Sequence, residues 1–212
     1  MTAAVTAAAT LLVLGGVSVV AARPAPDVPA GSPAAAAPPA PLVTAPPRPP
    51  TTPSTGLSVT PPVPMSAPVL VEAASIGLRA DVAPYTNEDV AAAGGAVRPP
   101  DLWTVSWWTG GGTPGSDADN TVYLYGHTWR EPAVFNGIKD LSPGDSVVVT
   151  TQTGRVTYLV ERSFVVDKPE LPGNPAVTEA VAGRLLLLGC YRETGDEDST
   201  TQNVVVVAQA VP

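Results

Sequence analysis

The chain of 212 residues contains one cysteine, Cys190, and one histidine, His127. A single cysteine excludes an internal disulfide. With only one histidine beside it, the usual Cys and His ligand sets of structural zinc cannot be assembled, so neither a metal nor another cofactor is expected. Charge is also scarce: 11 Lys and Arg stand against 19 Asp and Glu, a formal net charge of −8. No Lys/Arg cluster interrupts this acidic balance, which argues against nucleic acid as a partner. The chain is rich in proline, with 26 residues, and in uncharged apolar stretches.

The prolines are unevenly placed. Sixteen of them fall between Pro24 and Pro68, where Asp27 and Arg48 are the only charges. Such a segment has nothing to bury and favours extended polyproline II, so residues 23–68 read as a semi-rigid, otherwise disordered tether. Before it, residues 3–22 (AAVTAAATLLVLGGVSVVAA) carry no charge. Twenty helical residues at about 1.5 Å each span roughly 30 Å of hydrocarbon, so residues 1–22 read as a transmembrane anchor, with a cleaved signal segment as the alternative. The basic flanks are too thin to set orientation by charge. A tether implies a domain to hold off the membrane, and residues 69–212 are long enough for one.

That domain is dense in strand signals: TVYLYG at 121–126, DSVVVTT at 145–151, GRVTYLVE at 154–161, SFVV at 163–166, RLLLLG at 184–189 and NVVVVAQA at 203–210. β-Branched and aromatic residues dominate several of them, with turn residues between. SPGD at 142–145 predicts a turn, and TQTGRV at 151–156 a hairpin in which Gly154 takes a positive φ. Two short helices are expected, at 133–141 and at 175–183, the second opened by Pro175 and closed by Gly183. Strands joined by tight turns predict an antiparallel sandwich or a closed barrel of about seven or eight strands, with the barrel favoured. Four successive valines, 204–207, predict a strand buried on both faces.

His127 and Cys190 occupy matching positions. Each follows a glycine at the C-terminal end of an apolar strand, and each precedes a polar loop. For an arbitrary pair the ordinary reading is a small buried thiol and a loop imidazole bonded to backbone. The matched placement favours chemistry: a cysteine acts as thiolate, and an adjacent imidazole can promote its ionisation and then protonate a leaving amine.

The order of His127, sixty-odd residues, Cys190 at the end of a Leu-rich strand, and a valine-rich strand ending in VVVA resembles the sortase family. So do AVRPPDLWTVSWW at 96–108, SWWTGGGTPGSDADNTVYLYGHTW at 106–129 and the VF…PGD run at 134–149. The resemblance covers nearly all of residues 69–212 and is greatest to the actinobacterial class E and F members. It implies an all-β fold, a closed eight-stranded barrel with short helices, and a membrane-anchored cysteine transpeptidase. Such an enzyme cleaves a Leu-Pro-x-Thr-Gly-like sorting signal on a surface protein and transfers the acyl group to a cell-wall or pilin amine. The implied location is the cell membrane, single-pass, with the catalytic domain outside. Cys190 would form the thioester, with His127 as acid and then base.

The chain departs from the family pattern at two points. The Thr-Leu-x-Thr-Cys motif reads LLLGC, Leu186–Cys190, and the arginine at the start of the last strand is replaced by Asn203, with Thr201 and Gln202 before it. Oxyanion support then falls to Asn203 and Gly189, or to Arg192, which shares a face with Cys190 if the chain stays extended. These substitutions give a second reading, a catalytically impaired barrel that binds peptide. A third, an L,D-transpeptidase, rests on GCYR at 189–192 but finds Leu187 and Leu188 where that family has Ser-His-Gly. Trp103, Trp107 and Trp108 are read as core, as an exposed lid or as walls of a peptide groove, and the acidic loop 193–200 as solvated.

Overall fold

A computed structural model describes residues 61–212. The anchor expected at 1–22 and most of the tether lie outside the described residues. Among those described, no helix is long and apolar enough to cross a membrane.

Eight strands close into a barrel: β1 (Pro68–Ala73), β2 (Leu78–Tyr85), β3 (Val105–Trp108), β4 (Val122–Tyr125), β5 (Ser146–Thr151), β6 (Arg155–Asp167), β7 (Arg184–Cys190) and β8 (Gln202–Ala210). Around the barrel their order is β1-β2-β3-β4-β7-β8-β6-β5. Closure leaves no free sheet edge, which removes the usual hazard of edge-to-edge pairing. Two short helices, α1 (Asn87–Ala92) and α2 (Pro175–Thr178), decorate it.

The barrel interior is filled by alternate residues, among them Val71, Leu185, Leu187, Val204, Val206 and Tyr158, all nearly or fully inaccessible. The intervening residues of β7 and β8, Leu186, Leu188, Val205 and Val207, form a second apolar cluster with Tyr123 and Val177. The unbroken LLLL and VVVV runs therefore reflect burial on both faces, the same cause that makes doubly covered strands continuous hydrophobic runs. The outer cover comes from Leu171 in a 3-10 turn and from α2, which the Tyr123 hydroxyl holds by donating to the Val177 carbonyl at 2.7 Å.

Several sequence expectations change in detail. The strands expected at 154–161 and 163–166 are one, β6, whose register against β8 slips between Val160 and Arg162. One extra residue, Glu161, makes a bulge that bends the strand without ending it. The helix expected at 133–141 is reduced to a 3-10 turn at Ile138–Asp140, and that at 175–183 to the first turn, Pro175–Thr178. Gly183 does have a positive φ, but as the turn entering β7. Gly154 does not. Its lack of a side chain serves contact instead, since a Cβ there would stand 2.9 Å from Val63.

That contact belongs to an additional feature. Residues expected to be tether lie along the barrel: Val63 N donates to Ser116 Oγ, Ser116 N to the Val63 carbonyl, and Ser66 N to the Pro114 carbonyl. The packed body thus begins a few residues before Pro68.

Not all neighbours are antiparallel. β2 pairs parallel with β3, and β4 parallel with β7. The second pairing decides the site, because it brings the C-terminal ends of β4 and β7 to the same edge of the barrel. Two glycines let the chain beyond β4 press against β7. A Cβ on Gly126 would stand 2.5 Å from the Phe135 ring, and one on Gly189 would meet Thr128 at 3.2 Å and the Gly126 carbonyl at 3.3 Å. Neither has a positive φ.

Two stability outcomes follow. Leu187→Ala, removing a fully buried side chain at the centre of β7, is expected to lower unfolding free energy by about 3 kcal/mol in chemical denaturation. Gly126→Ala, overpacking against Phe135, is expected to cost about 1–3 kcal/mol, and a stability equal to that of the unaltered chain would refute the close-packing account.

Candidate active site

The register Tyr125↔Leu188 between β4 and β7 continues past the end of β4. Gly126 N donates to the Leu188 carbonyl at 3.1 Å, and Thr128 Oγ1 donates to the Cys190 carbonyl at 2.9 Å. His127 lies between these two bonds, so its backbone runs beside that of Cys190 at about the 4.8 Å spacing of neighbouring strands. Cys190 continues the outward-facing series of Leu186 and Leu188 on β7, while β4 ends at Tyr125, two residues before His127.

His127 Nε2 lies 2.9 Å from the Pro99 carbonyl oxygen. A carbonyl can only accept, so Nε2 carries the proton in this bond, leaving Nδ1 as the nitrogen able to take and return one. The segment that supplies Pro99 also carries Asp101, whose carboxylate accepts from the amides of Trp103 and Thr104, both at 2.7 Å. Those two amides hold Asp101 below the ordinary carboxylate range, with a smaller contribution from the charge of His127. Sequence reading passed over both Pro99 and Asp101. No residue-type signal marks a carbonyl as a histidine's partner, and the Asp101 side chain looks like an ordinary turn cap.

Cys190 is half-buried, reduced and shared between two cavities. The larger, about 860 Å³, is a groove along the outer face whose wall includes Trp108, Tyr123, Tyr125, Leu171 and Val177, with Cys190 and Asn203 together in it. Burial raises the Tyr123 and Tyr125 phenols above their usual range, so they are neutral walls and not bases. The smaller, about 160 Å³, is lined by Cys190, Arg192, Trp129 and Phe135 among others.

Asn203 is the β8 partner of Cys190 in register, so an amide stands beside the thiol, its Oδ1 buried without a hydrogen-bond partner. Arg192 goes elsewhere. β7 ends at Cys190, so the extended path assumed for a shared face stops there. The Arg192 side chain turns under the histidine loop, its Nε donating to the Thr128 carbonyl at 3.2 Å and its guanidinium 5.0 Å from the Trp129 ring centre. It is buried and Nη1 has no partner. Lys139 Nζ donates to the carbonyls of Arg192 and Glu193 at 3.0 and 2.7 Å, completing a clamp between the two loops. A side chain at Gly189 would face Thr128 and Ile138, so that glycine is a point of close packing.

The tryptophans divide. Trp108 lines the groove, Trp107 is buried with Nε1 donating to the Gly112 carbonyl at 3.0 Å, and Trp103 is exposed. In the acidic loop, Glu197 accepts from the Thr194 and Gly195 amides, and these bonds hold its carboxyl down at about 2. Among the described residues, no three His, Cys, Asp or Glu side chains cluster in a way that could hold a metal ion.

The barrel is shared with solved structures. It resembles sortase A of Listeria monocytogenes at 19% identity, covering 69% of this chain and 89% of that one with a TM-score of 0.50. It resembles sortase C1 of Streptococcus suis at 17% identity, covering 70% and 74%, with a TM-score of 0.51. A sortase D5 transpeptidase of Clostridium perfringens gives 16% identity, 69% and 79% coverage and a TM-score of 0.51. At such identities the likeness carries the fold alone. A search of curated proteins finds no match. The Sortase domain model matches residues 71–211, from the first barrel strand to the end of the last. The match, over about two thirds of the chain, places this chain in the sortase family of cysteine transpeptidases.

Proposed function

We propose that this chain is a membrane-anchored sortase that cleaves a Leu-Pro-x-Thr-Gly-like signal through a Cys190 thioester and passes the acyl group to a cell-wall or pilin amine. The observation that carries the reading is that Cys190 opens onto an 860 Å³ groove while Thr128, the residue after His127, is bonded to the Cys190 carbonyl. The apolar run at 3–22 and the proline-rich segment after it support an outward-facing domain at the cell membrane. The motifs quoted above support a relationship to the class E and F members.

In this mechanism the Cys190 thiolate attacks the threonine carbonyl carbon, forming the C–S bond and an oxyanion. Collapse breaks the Thr–Gly C–N bond, and the His127 imidazolium gives its proton to the departing glycine amine. The acceptor amine then attacks the thioester carbon, imidazole takes the proton from that nitrogen, and the thiolate is released. Pro99 holds the ring through Nε2 across both halves. Asn203, in the groove beside the sulfur, is the group placed to donate to the oxyanion. Arg192 acts at a distance, fixing the loop that carries His127 to the strand end that carries Cys190.

A second reading keeps the groove without turnover. It is favoured by one specific observation: the groove holds an uncharged amide at Asn203, and the nearest buried guanidinium lines the other cavity. Incubating the full chain with a Leu-Pro-x-Thr-Gly peptide and hydroxylamine separates the two. A thioester-sized mass increase that is absent in Cys190→Ala, with hydroxamate release, is the expected result, whereas binding with no adduct supports the adaptor.

If Asn203 supports the oxyanion, Asn203→Ala is expected to lower kcat about 100-fold with KM little changed. Arg192→Gln is expected to lower thermal stability together with activity. A 100-fold loss of kcat in Arg192→Gln at unchanged stability, with Asn203→Ala fully active, would reverse these assignments.

A further inference from the structure

Among the described residues of a chain of net charge −8, no carboxylate lines the groove. The charged residues in its wall are Arg98 and Lys168. Among the described residues neither is in an ion pair. On so acidic a protein, a groove wall with two cations and no anion is an arrangement that favours a negatively charged ligand.

Both cations are placed relative to the thiol. Arg98 precedes Pro99, the partner of His127 Nε2, and so stands on the histidine side. Lys168 stands on the other side, since Asn203 pairs with Cys190 in β7 and with Val166 in β6, two residues before Lys168. Strand spacings of about 4.8 Å and a rise of about 3.3 Å per residue put the Lys168 backbone roughly 12 Å from that of Cys190. An extended peptide covers this distance in about four residues, the length of the Leu-Pro-x-Thr part of the signal. The Lys168 ammonium is held by neutral oxygens, donating to the Thr200 carbonyl at 2.7 Å and to Thr200 Oγ1 at 3.0 Å, so it is positioned while its charge is uncompensated. Two carboxylates close in sequence to these cations have other partners: Asp167 the Gln202 side chain, and Asp101 the amides of Trp103 and Thr104.

We propose that this groove selects sorting signals that carry an acidic residue within about four residues of the cleaved bond, with Lys168 and Arg98 as the specificity-determining residues. The proposal rests on the transpeptidase reading and names its substrate class.

The test is acylation of the full chain without any acceptor amine, followed by mass spectrometry, with Leu-Pro-x-Thr-Gly peptides bearing Glu, Gln or Lys at x and a matched set varied at the flanking positions. The expected result is a kcat/KM for acylation about 5-fold higher for the best Glu peptide than for its Gln counterpart, as one partly exposed charge pair gives. The advantage is expected to shrink toward unity in 1 M salt. Lys168→Glu is expected to turn the preference toward the Lys peptide, which a merely structural lysine would not do. Equal acylation by Glu, Gln and Lys peptides at every position overturns the proposal and leaves the transpeptidase reading intact. An acid preference seen only in the later transfer step also overturns it, assigning the cations to the acceptor. Failure of every peptide to acylate a Cys190 that still reacts with iodoacetamide overturns both.

Discussion

The site depends on the parallel pairing of β4 with β7. Parallel neighbours end at the same edge of a sheet, so residues distant in sequence emerge side by side, each at the end of a buried apolar strand. Had these strands been antiparallel, His127 and Cys190 would lie at opposite ends of the barrel. The pairing is held by the fully buried Leu185, Leu187 and Leu124 on its inner face and by Leu186, Leu188 and Tyr123 on its outer face. The placement of Cys190 at this edge is therefore a by-product of core packing. The histidine loop follows from it, bonded to the strand end through Gly126, Thr128 and Arg192.

What the sequence made legible was what repeated. The runs at 121–126, 145–151, 184–189 and 203–210 each hold a strand, because long apolar or β-branched stretches have few other uses in a small domain. β1 to β3 were missed for physical reasons. In β2 the inward positions include Ala80 as well as Leu78 and Val82, so the alternation is faint by residue type though clean by burial. β3 is four residues long and begins just after an irregular segment. The capping box of Thr86 and Asp89, which starts α1, was present as a local signal and was passed over.

In the site, the two singletons were legible because scarcity makes a residue conspicuous, and their matched glycine contexts had a common cause. Those glycines read as flexible, yet they serve close approach, with Phe135 filling the space beside Gly126 and Thr128 that beside Gly189. Arg192 was harder. Its place depends on where β7 stops, and one residue of extended chain more or less decides which cavity a side chain enters. Pro99 escaped notice because a backbone carbonyl has no residue-type signature, and the groove's charge became visible only when Arg98 and Lys168, from two separate segments, were assembled.

The position of β8 has a consequence for how the molecule is made. It lies between β7 and β6, so the cluster of Leu186, Leu188, Val205 and Val207 exists only after the latest strand in chain order has been synthesised. Until then β6 and β7 each lack a neighbour, and the apolar β7 stretch stays uncovered on a growing polypeptide. Nascent chains of this design cannot seal their barrel progressively from the amino end. They remain open sheets until Val204 to Ala208 become available to close the ring.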